Sequence, residues 1–129
     1  MGQETTFATL IGSRICHDLI SPIGAINNGI ELIEMGSTAS TPEMTLISES
    51  VVNASARIRY FRIAFGAAGD QTVGRPEIIS ILDGIYTGTR LSVAWGPLEG
   101  QPRNLVRLAF LAVMCLETAM PYGGRIVVT

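Results

Sequence analysis

His17 is the single histidine of this 129-residue chain, and it lies in the run Cys16-His17-Asp18-Leu19-Ile20-Ser21-Pro22. An imidazole gains and loses a proton near neutrality, and it can act as a nucleophile that carries a phosphoryl group. Ser21 follows one helical turn later, where its hydroxyl could hydrogen-bond a phosphoryl oxygen. This pattern predicts group transfer at His17, with an ordinary surface histidine as the alternative.

The helix that carries His17 is predicted from apolar periodicity between about Thr6 and Met35. At about 100° per residue, the side opposite His17 is apolar. Its members are Ile11, Ile15, Leu19, Pro22, Ile26, Ile30 and Ile33. The side of His17 itself carries Ser13, Ser21, Gly24 and Asn28, with Leu10 beside them. The imidazole is therefore predicted to face away from the core, in a strip of small side chains that another protein can approach.

A second long helix is predicted to follow a loop at residues 37–41. Thr41, Pro42 and Glu43 are typical of a helix start. Apolar residues then recur at gaps of three and four, as in a coiled coil: Met44, Ile47, Val51, Ala54, Ile58, Phe61 and Phe65. Two such helices form an antiparallel hairpin, and two hairpins can bury both stripes, so we expect a homodimer built as a four-helix bundle.

The rest of the chain has a different pattern. We expect a hairpin domain at residues 1–68, a linker at 69–74 and a small α/β lobe at 75–129. The lobe is predicted to contain a helix at 77–86, a strand at 90–95, a very apolar helix at 103–120 and a strand at 125–129. The fold class is α+β. Since two strands with one apolar helix are too little to stand alone, we expect the lobe to be incomplete.

Charge and composition exclude several classes of protein. The net charge of −2 argues against a nucleic-acid partner. No apolar run reaches the roughly 18 residues of a membrane span, and no secretory signal is evident. Cys16 and Cys115 lack metal-site spacing and fit reduced thiols, which favours the cytoplasm.

The segment from Cys16 to Ile26 resembles the H-box of sensor histidine kinases, which reads Ser-His-Glu-Leu-Arg-Thr-Pro-Leu-x-x-Ile. The match includes the histidine, the acid after it, a hydroxyl residue four positions later and the proline five positions later. The resemblance implies a dimerisation and histidine-phosphotransfer hairpin, with His17 as phosphoacceptor and Asp18 orienting or deprotonating the imidazole. A solvated helix acid is the alternative for Asp18, since adjacent helical residues do not face each other squarely.

The second half resembles a histidine-kinase ATP-binding domain that has lost its nucleotide site. Aligned through Pro121-Tyr122-Gly123-Gly124, Leu111 and Cys115 stand where kinases carry asparagines that bind Mg²⁺ and phosphates. Neither side chain offers the oxygen ligand that Mg²⁺ prefers. We therefore expect no ATP binding and no cofactor of the chain's own.

A histidine-bearing hairpin followed by a degenerate kinase lobe resembles the ChpT-type histidine phosphotransferases of alphaproteobacteria. The strings from Ser13 to Pro22 and from Phe61 to Ala67 carry this resemblance. It implies a dimeric cytoplasmic shuttle that takes a phosphoryl group from the receiver domain of a hybrid histidine kinase and gives it to response-regulator receivers. The receiver would supply Mg²⁺. An ATP-dependent sensor kinase fragment and a non-catalytic dimerisation scaffold are the alternatives.

The receiver is predicted to dock on the helix-one face around His17. The residues concerned are Leu10, Ser13, Arg14, Ile20, Gly24 and Asn28. Arg14 could meet phosphate or an acidic receiver edge, or be a plain surface arginine. Leu10 and Ile20 could dock the receiver, or be buried by the second hairpin helix.

Overall fold

The computed structural model describes residues 3–36, 41–66 and 70–129. The described helices are α1 (Gln3–Met35), α2 (Thr41–Ala64), α3 (Arg75–Tyr86) and α4 (Arg103–Ala119). The described strands are β1 (Thr72–Val73), β2 (Leu91–Trp95), β3 (Gln101–Pro102) and β4 (Gly124–Val128). This confirms the predicted α+β class. The chain divides into two compact units, Met1–Arg57 and Ile58–Thr129.

In the first unit, two contacts fix the direction of α2 relative to α1. Gly29 of α1 is buried, and a Cβ built on it would lie 2.6 Å from Ile47 Cγ1 of α2. Earlier in α1, Asp18 Oδ2 accepts a hydrogen bond from Arg57 Nη1, late in α2, at 3.3 Å. An earlier position on one helix thus pairs with a later position on the other, so the helices form an antiparallel hairpin. Residues 37–40 of the predicted loop lie outside the described residues.

The predicted apolar stripes are only partly covered within one chain. Pro22 is buried, whereas Ile30, predicted on the core side of α1, is exposed. On α2, Met44, Val51 and Ile58 are each about half exposed. A single hairpin therefore leaves much of its apolar surface in contact with water.

The second unit contains two small sheets. β2 and β4 pair in parallel, with Leu91 opposite Gly124 and Trp95 opposite Val128. Parallel strands need a crossover connection, and α4 lies in the segment that joins them. β1 pairs antiparallel with β3 and lies within the predicted linker, of which residue 69 is outside the described part. The linker composition did not indicate β1, because two residues are too short to show any periodicity.

Gly123 sets the start of β4. Its φ is +90°, a conformation that favours glycine, and a Cβ there would collide with the Arg90 carbonyl. The next amide, Gly124 N–H, donates to that same Arg90 oxygen at 3.1 Å. The turn after α4 therefore brings β4 into register with the first residue of β2.

An aromatic and polar cluster lies in the core of the second unit. The ring centroids of Tyr60 and Phe110 are 4.7 Å apart, and the Tyr60 hydroxyl donates to the Phe110 carbonyl at 3.3 Å. The hydroxyls of Tyr60 and Tyr86 are 3.1 Å apart, and Tyr86 donates to Glu117 Oε2 at 3.2 Å. Burial, and then the neighbouring Tyr60 and Glu117, raise the pKa of the Tyr86 phenol well above its usual value.

Element bounds differ from the predicted ones by a few residues at most. The strand predicted at 90–95 spans Leu91–Trp95, the strand predicted at 125–129 spans Gly124–Val128, and the first helix starts at Gln3. Across the described ranges, none of the helices combines the length and apolarity needed to cross a bilayer.

Candidate functional site

His17 projects from α1 with 86% of its side chain exposed. Ser13 and Ser21, one turn before and one turn after it, are also exposed. Pro22 has no N–H, so the carbonyl of Asp18 lacks the hydrogen bond that an α-helix would normally give it. This gap comes directly after His17. The imidazole is thus held on a long helix but open to an approaching molecule.

Asp18 contacts the imidazole even though the two residues are neighbours in the chain. His17 Nδ1 and Asp18 Oδ1 are 3.1 Å apart. A carboxylate can only accept a hydrogen bond, so this contact places the proton of a neutral imidazole on Nδ1. The other ring nitrogen, Nε2, then carries the free lone pair.

Two arginines hold the other oxygen of Asp18. Arg14 Nε donates to Asp18 Oδ2 at 2.9 Å from one turn earlier on α1, and Arg57 Nη1 donates to the same oxygen at 3.3 Å from α2. The Asp18 side chain is 10% exposed. Asp18 is therefore not a freely solvated helix acid. The structure connects Arg14 to Asp18, and its predicted contact with a partner stays a prediction.

Arg57 and its neighbour Asn53 are the site residues that sequence reasoning missed. Arg57 Nε donates to Asn53 Oδ1 at 2.9 Å. Asn53 lies one turn earlier on α2, so this bond fixes the orientation of the Arg57 guanidinium. The spacing of four residues was a readable signal for this pair. The pairing of Arg57 with Asp18 had no local signal, because it depends on the register between the two helices.

The predicted docking positions lie on the surface around His17. Leu10 is 60% exposed and Ile20 is 69% exposed, which rules out burial of either by α2 within one chain. Ser13, Ser21 and Asn28 are exposed as well. The face therefore combines small polar side chains with two accessible apolar ones.

Gly24 lies on the same stretch of α1, and a Cβ built there meets nothing within 4 Å. It borders an open groove of about 550 Å³ on the surface of α1. The groove is lined by Ile15, Cys16, Leu19, Ile20, Ile23, Gly24 and Asn27. Most of these side chains are apolar, so this surface is suited to contact with another protein rather than with water.

The degenerate nucleotide positions lie on α4. Leu111 is half-buried and Cys115 is an exposed free thiol. Within the described parts of the chain, no three histidine, cysteine, aspartate or glutamate side chains group into a metal site. The predictions that ATP is not bound and that Mg²⁺ comes from the partner stay predictions.

Comparison with known proteins shows which proteins this chain resembles. The family model of the histidine phosphotransferase C-terminal domain matches residues 75–129. This match lies in the second half of the chain, and the predicted resemblance to ChpT-type histidine phosphotransferases is confirmed.

Two relatives extend the likeness over nearly the whole chain. It is 41% identical over 122 residues to protein phosphotransferase ChpT of Brucella abortus (strain 2308), a match that covers 92% of this chain and 58% of the relative. A solved structure of a bacterial phosphotransferase matches with a TM-score of 0.73 and 39% identity, covering 95% of this chain and 60% of that one. The chain thus spans about three fifths of the length of these relatives.

Proposed function

We propose that the protein is a histidine phosphotransferase of a bacterial two-component phosphorelay. His17 takes a phosphoryl group from the receiver domain of a hybrid histidine kinase and passes it to the receivers of response regulators. The observation that carries this proposal is the exposed imidazole whose Nδ1 is bonded to Asp18 at 3.1 Å. The 41% identity to a protein phosphotransferase supports it.

In the proposed reaction, the lone pair of Nε2 attacks the phosphorus of an aspartyl phosphate on the receiver. The N–P bond forms as the P–O bond to the receiver breaks, and the receiver carboxylate leaves. The proton stays on Nδ1, because Asp18 Oδ1 accepts its hydrogen bond. Reversal with a second receiver releases the phosphoryl group, and positioning supplies most of the catalysis.

The surface around His17 fits the approach of a receiver. Ser21 lies one turn from His17, where its exposed hydroxyl can reach a phosphoryl oxygen. Leu10 and Ile20 supply exposed apolar area on the same helix for docking. Mg²⁺ belongs to the receiver, where it neutralises the transferring group.

The active form in this proposal is a homodimer. Met44, Val51 and Ile58 of α2 and Ile30 of α1 are the exposed apolar side chains that a second hairpin would cover in a four-helix bundle. The second unit is then a degenerate ATPase-like lobe that no longer binds nucleotide. The relay operates in the cytoplasm, where the free thiols of Cys16 and Cys115 stay reduced.

Two parallel labelling reactions test the function. The protein is incubated with a receiver charged by radiolabelled acetyl phosphate, and separately with radiolabelled ATP. We expect acid-labile label from the receiver only, and none on His17→Gln. Label from ATP alone would identify a kinase instead, and absence of label in both reactions would favour a scaffold.

A further inference from the structure

Arg57 of the second hairpin helix bonds to Asp18, the chain neighbour of His17. On the basis of the proposed function, we propose that Arg57 is a positioning residue that keeps His17 in its nucleophilic tautomer by fixing Asp18. Arg57 itself makes its contact with Asp18 Oδ2, at 3.3 Å, and not with the imidazole. Its effect on His17 is therefore indirect and passes through the carboxylate.

The two carboxylate oxygens of Asp18 have separate tasks. Oδ2 accepts from both arginines, which leaves Oδ1 for His17 Nδ1 at 3.1 Å. If the carboxylate rotated, Oδ1 would lose its hydrogen bond to Nδ1, and the imidazole proton could then move to Nε2. An imidazole protonated on Nε2 has no lone pair at that atom and cannot attack phosphorus there.

Arg14 alone cannot fix this carboxylate as firmly. It lies on the same helix as Asp18, so both side chains share one backbone and Asp18 can still turn about that single anchor. Arg57 comes from α2 and gives the carboxylate a second anchor from a different direction. With a side chain only 10% exposed, Asp18 is held between the two helices rather than at the free surface of one.

The second anchor depends on the planar shape of a guanidinium. Arg57 Nε donates to Asn53 Oδ1 at 2.9 Å while Nη1 of the same group donates to Asp18. Two donors in one rigid plane therefore transmit the position of α2 to the carboxylate. A lysine ammonium on a flexible stem is a point charge and cannot reproduce both bonds in this geometry.

The test measures the tautomer directly in the full unphosphorylated chain. Because His17 is the only histidine, its two ring nitrogens give unambiguous signals in ¹⁵N NMR. In Arg57→Gln we expect the population of His17 that is protonated on Nε2 to rise. We also expect the rate of phosphoryl transfer from a phosphorylated receiver to fall about tenfold, which is the loss expected for one hydrogen bond to an ionised group. Arg57→Lys should restore little of the wild-type tautomer population or of the transfer rate. Wild-type tautomer populations in Arg57→Gln would overturn the proposal.

Arg59→Gln is the matched control, because it removes the same charge from the same helix. Arg59 bonds to Ser80 in the second unit, at 3.3 Å, so its variant should keep the wild-type tautomer and rate. An equal change in both variants would show a general charge effect and overturn the proposal. If Arg57→Gln does not fold, Asn53→Ala decides: it keeps the charge but frees Arg57, and an unchanged tautomer would again count against the proposal.

The tautomer readout separates this inference from the proposed function. A tautomer shift in Arg57→Gln, in a protein that accepts no phosphoryl group from any receiver, would leave the positioning role intact and remove the relay. Normal wild-type transfer with no tautomer shift in Arg57→Gln would remove the positioning role and leave the relay.

Discussion

Gly29 and Ile47 are the residues at which the two hairpin helices approach closely. A Cβ on Gly29 would lie 2.6 Å from Ile47 Cγ1 and 3.1 Å from Ile47 Cδ1. Gly24, on the same helix, has open space where its Cβ would be. Two glycines in the interior of α1 therefore have different surroundings: Gly29 packs against α2, and Gly24 borders open space.

Alanine should stabilise the chain at position 24 but not at position 29. In Gly24→Ala the helix gains about 1 kcal/mol, because glycine is that much less favourable than alanine in a helix interior. In Gly29→Ala the methyl group overpacks the contact with Ile47, at a cost of about 1–3 kcal/mol that offsets or exceeds the same gain. Urea unfolding followed by circular dichroism measures both. A Gly29→Ala protein as stable as Gly24→Ala would contradict the assigned contact.

A bulky side chain at position 24 should block the receiver without unfolding the hairpin. We expect Gly24→Trp to lose phosphoryl transfer while its melting temperature stays near that of the wild type. Gly12→Trp is the control, because Gly12 also has no atom within 4 Å of its Cβ but lies on another face of α1. Normal transfer by Gly24→Trp would place docking elsewhere. A change in its oligomeric state would instead assign Gly24 to the contact between two copies.

Charge on the exposed apolar seam of α2 should separate the proposed dimer. Val51→Asp and Ile58→Asp each place a carboxylate where a second hairpin would bury an apolar side chain worth about 1.5–3 kcal/mol. We expect light scattering at micromolar concentration to show a dimer for the wild type and a monomer for the variants. Leu98→Asp is the control, since Leu98 is exposed in a loop of the second unit. A monomeric wild type would contradict the dimer.

The buried phenol of Tyr86 predicts a loss of stability in alkali. Its pKa is raised in the folded chain, so above pH 10 the unfolded chain releases a proton that the folded chain retains. Stability from this group is complete below pH 10 and falls by about 1.4 kcal/mol per pH unit above it. Tyr86→Phe removes this slope but also the bond to Glu117, so it should be less stable at pH 8 and lose less between pH 10 and 12. Equal slopes in both proteins would contradict the prediction.

The helices of this fold could be predicted from sequence because each is long and periodic. Pro22 is on the buried side of α1, as the helical arithmetic predicts. Ile30 has the right phase and is exposed, because helical phase gives the direction of a side chain but not whether another element covers it. The same limit explains the half-exposed Val51 on α2.

The exposure of His17 and Ser21 could be predicted from the sequence, but the contacts around His17 could not be predicted in full. The resemblance implied that Asp18 orients or deprotonates the imidazole, but helical geometry supported this only loosely, since adjacent residues do not face each other squarely. In the structure the side chain of Asp18 brings Oδ1 to the ring. The sequence could not pair Arg57 of α2 with Asp18. The two residues are 39 positions apart in the chain, and their contact depends on how the two helices pack. Local pattern predicts which residues share a helix face, and tertiary register decides which of them meet.

The clustering of Arg14, Arg57 and Asp18 beside His17 has a consequence for the energy of the carried group. Before transfer the charges of the two arginines and Asp18 sum to about +1. A phosphoryl group on Nε2 brings about −2, and the imidazole that keeps its Nδ1 proton becomes about +1, so the surroundings of the phosphorylated His17 are close to neutral. The site thus stays close to neutral whether or not His17 is phosphorylated, so its charges do not bind the phosphoryl group strongly. A carrier between two receivers needs this balance, because a group that is held too tightly would never be delivered.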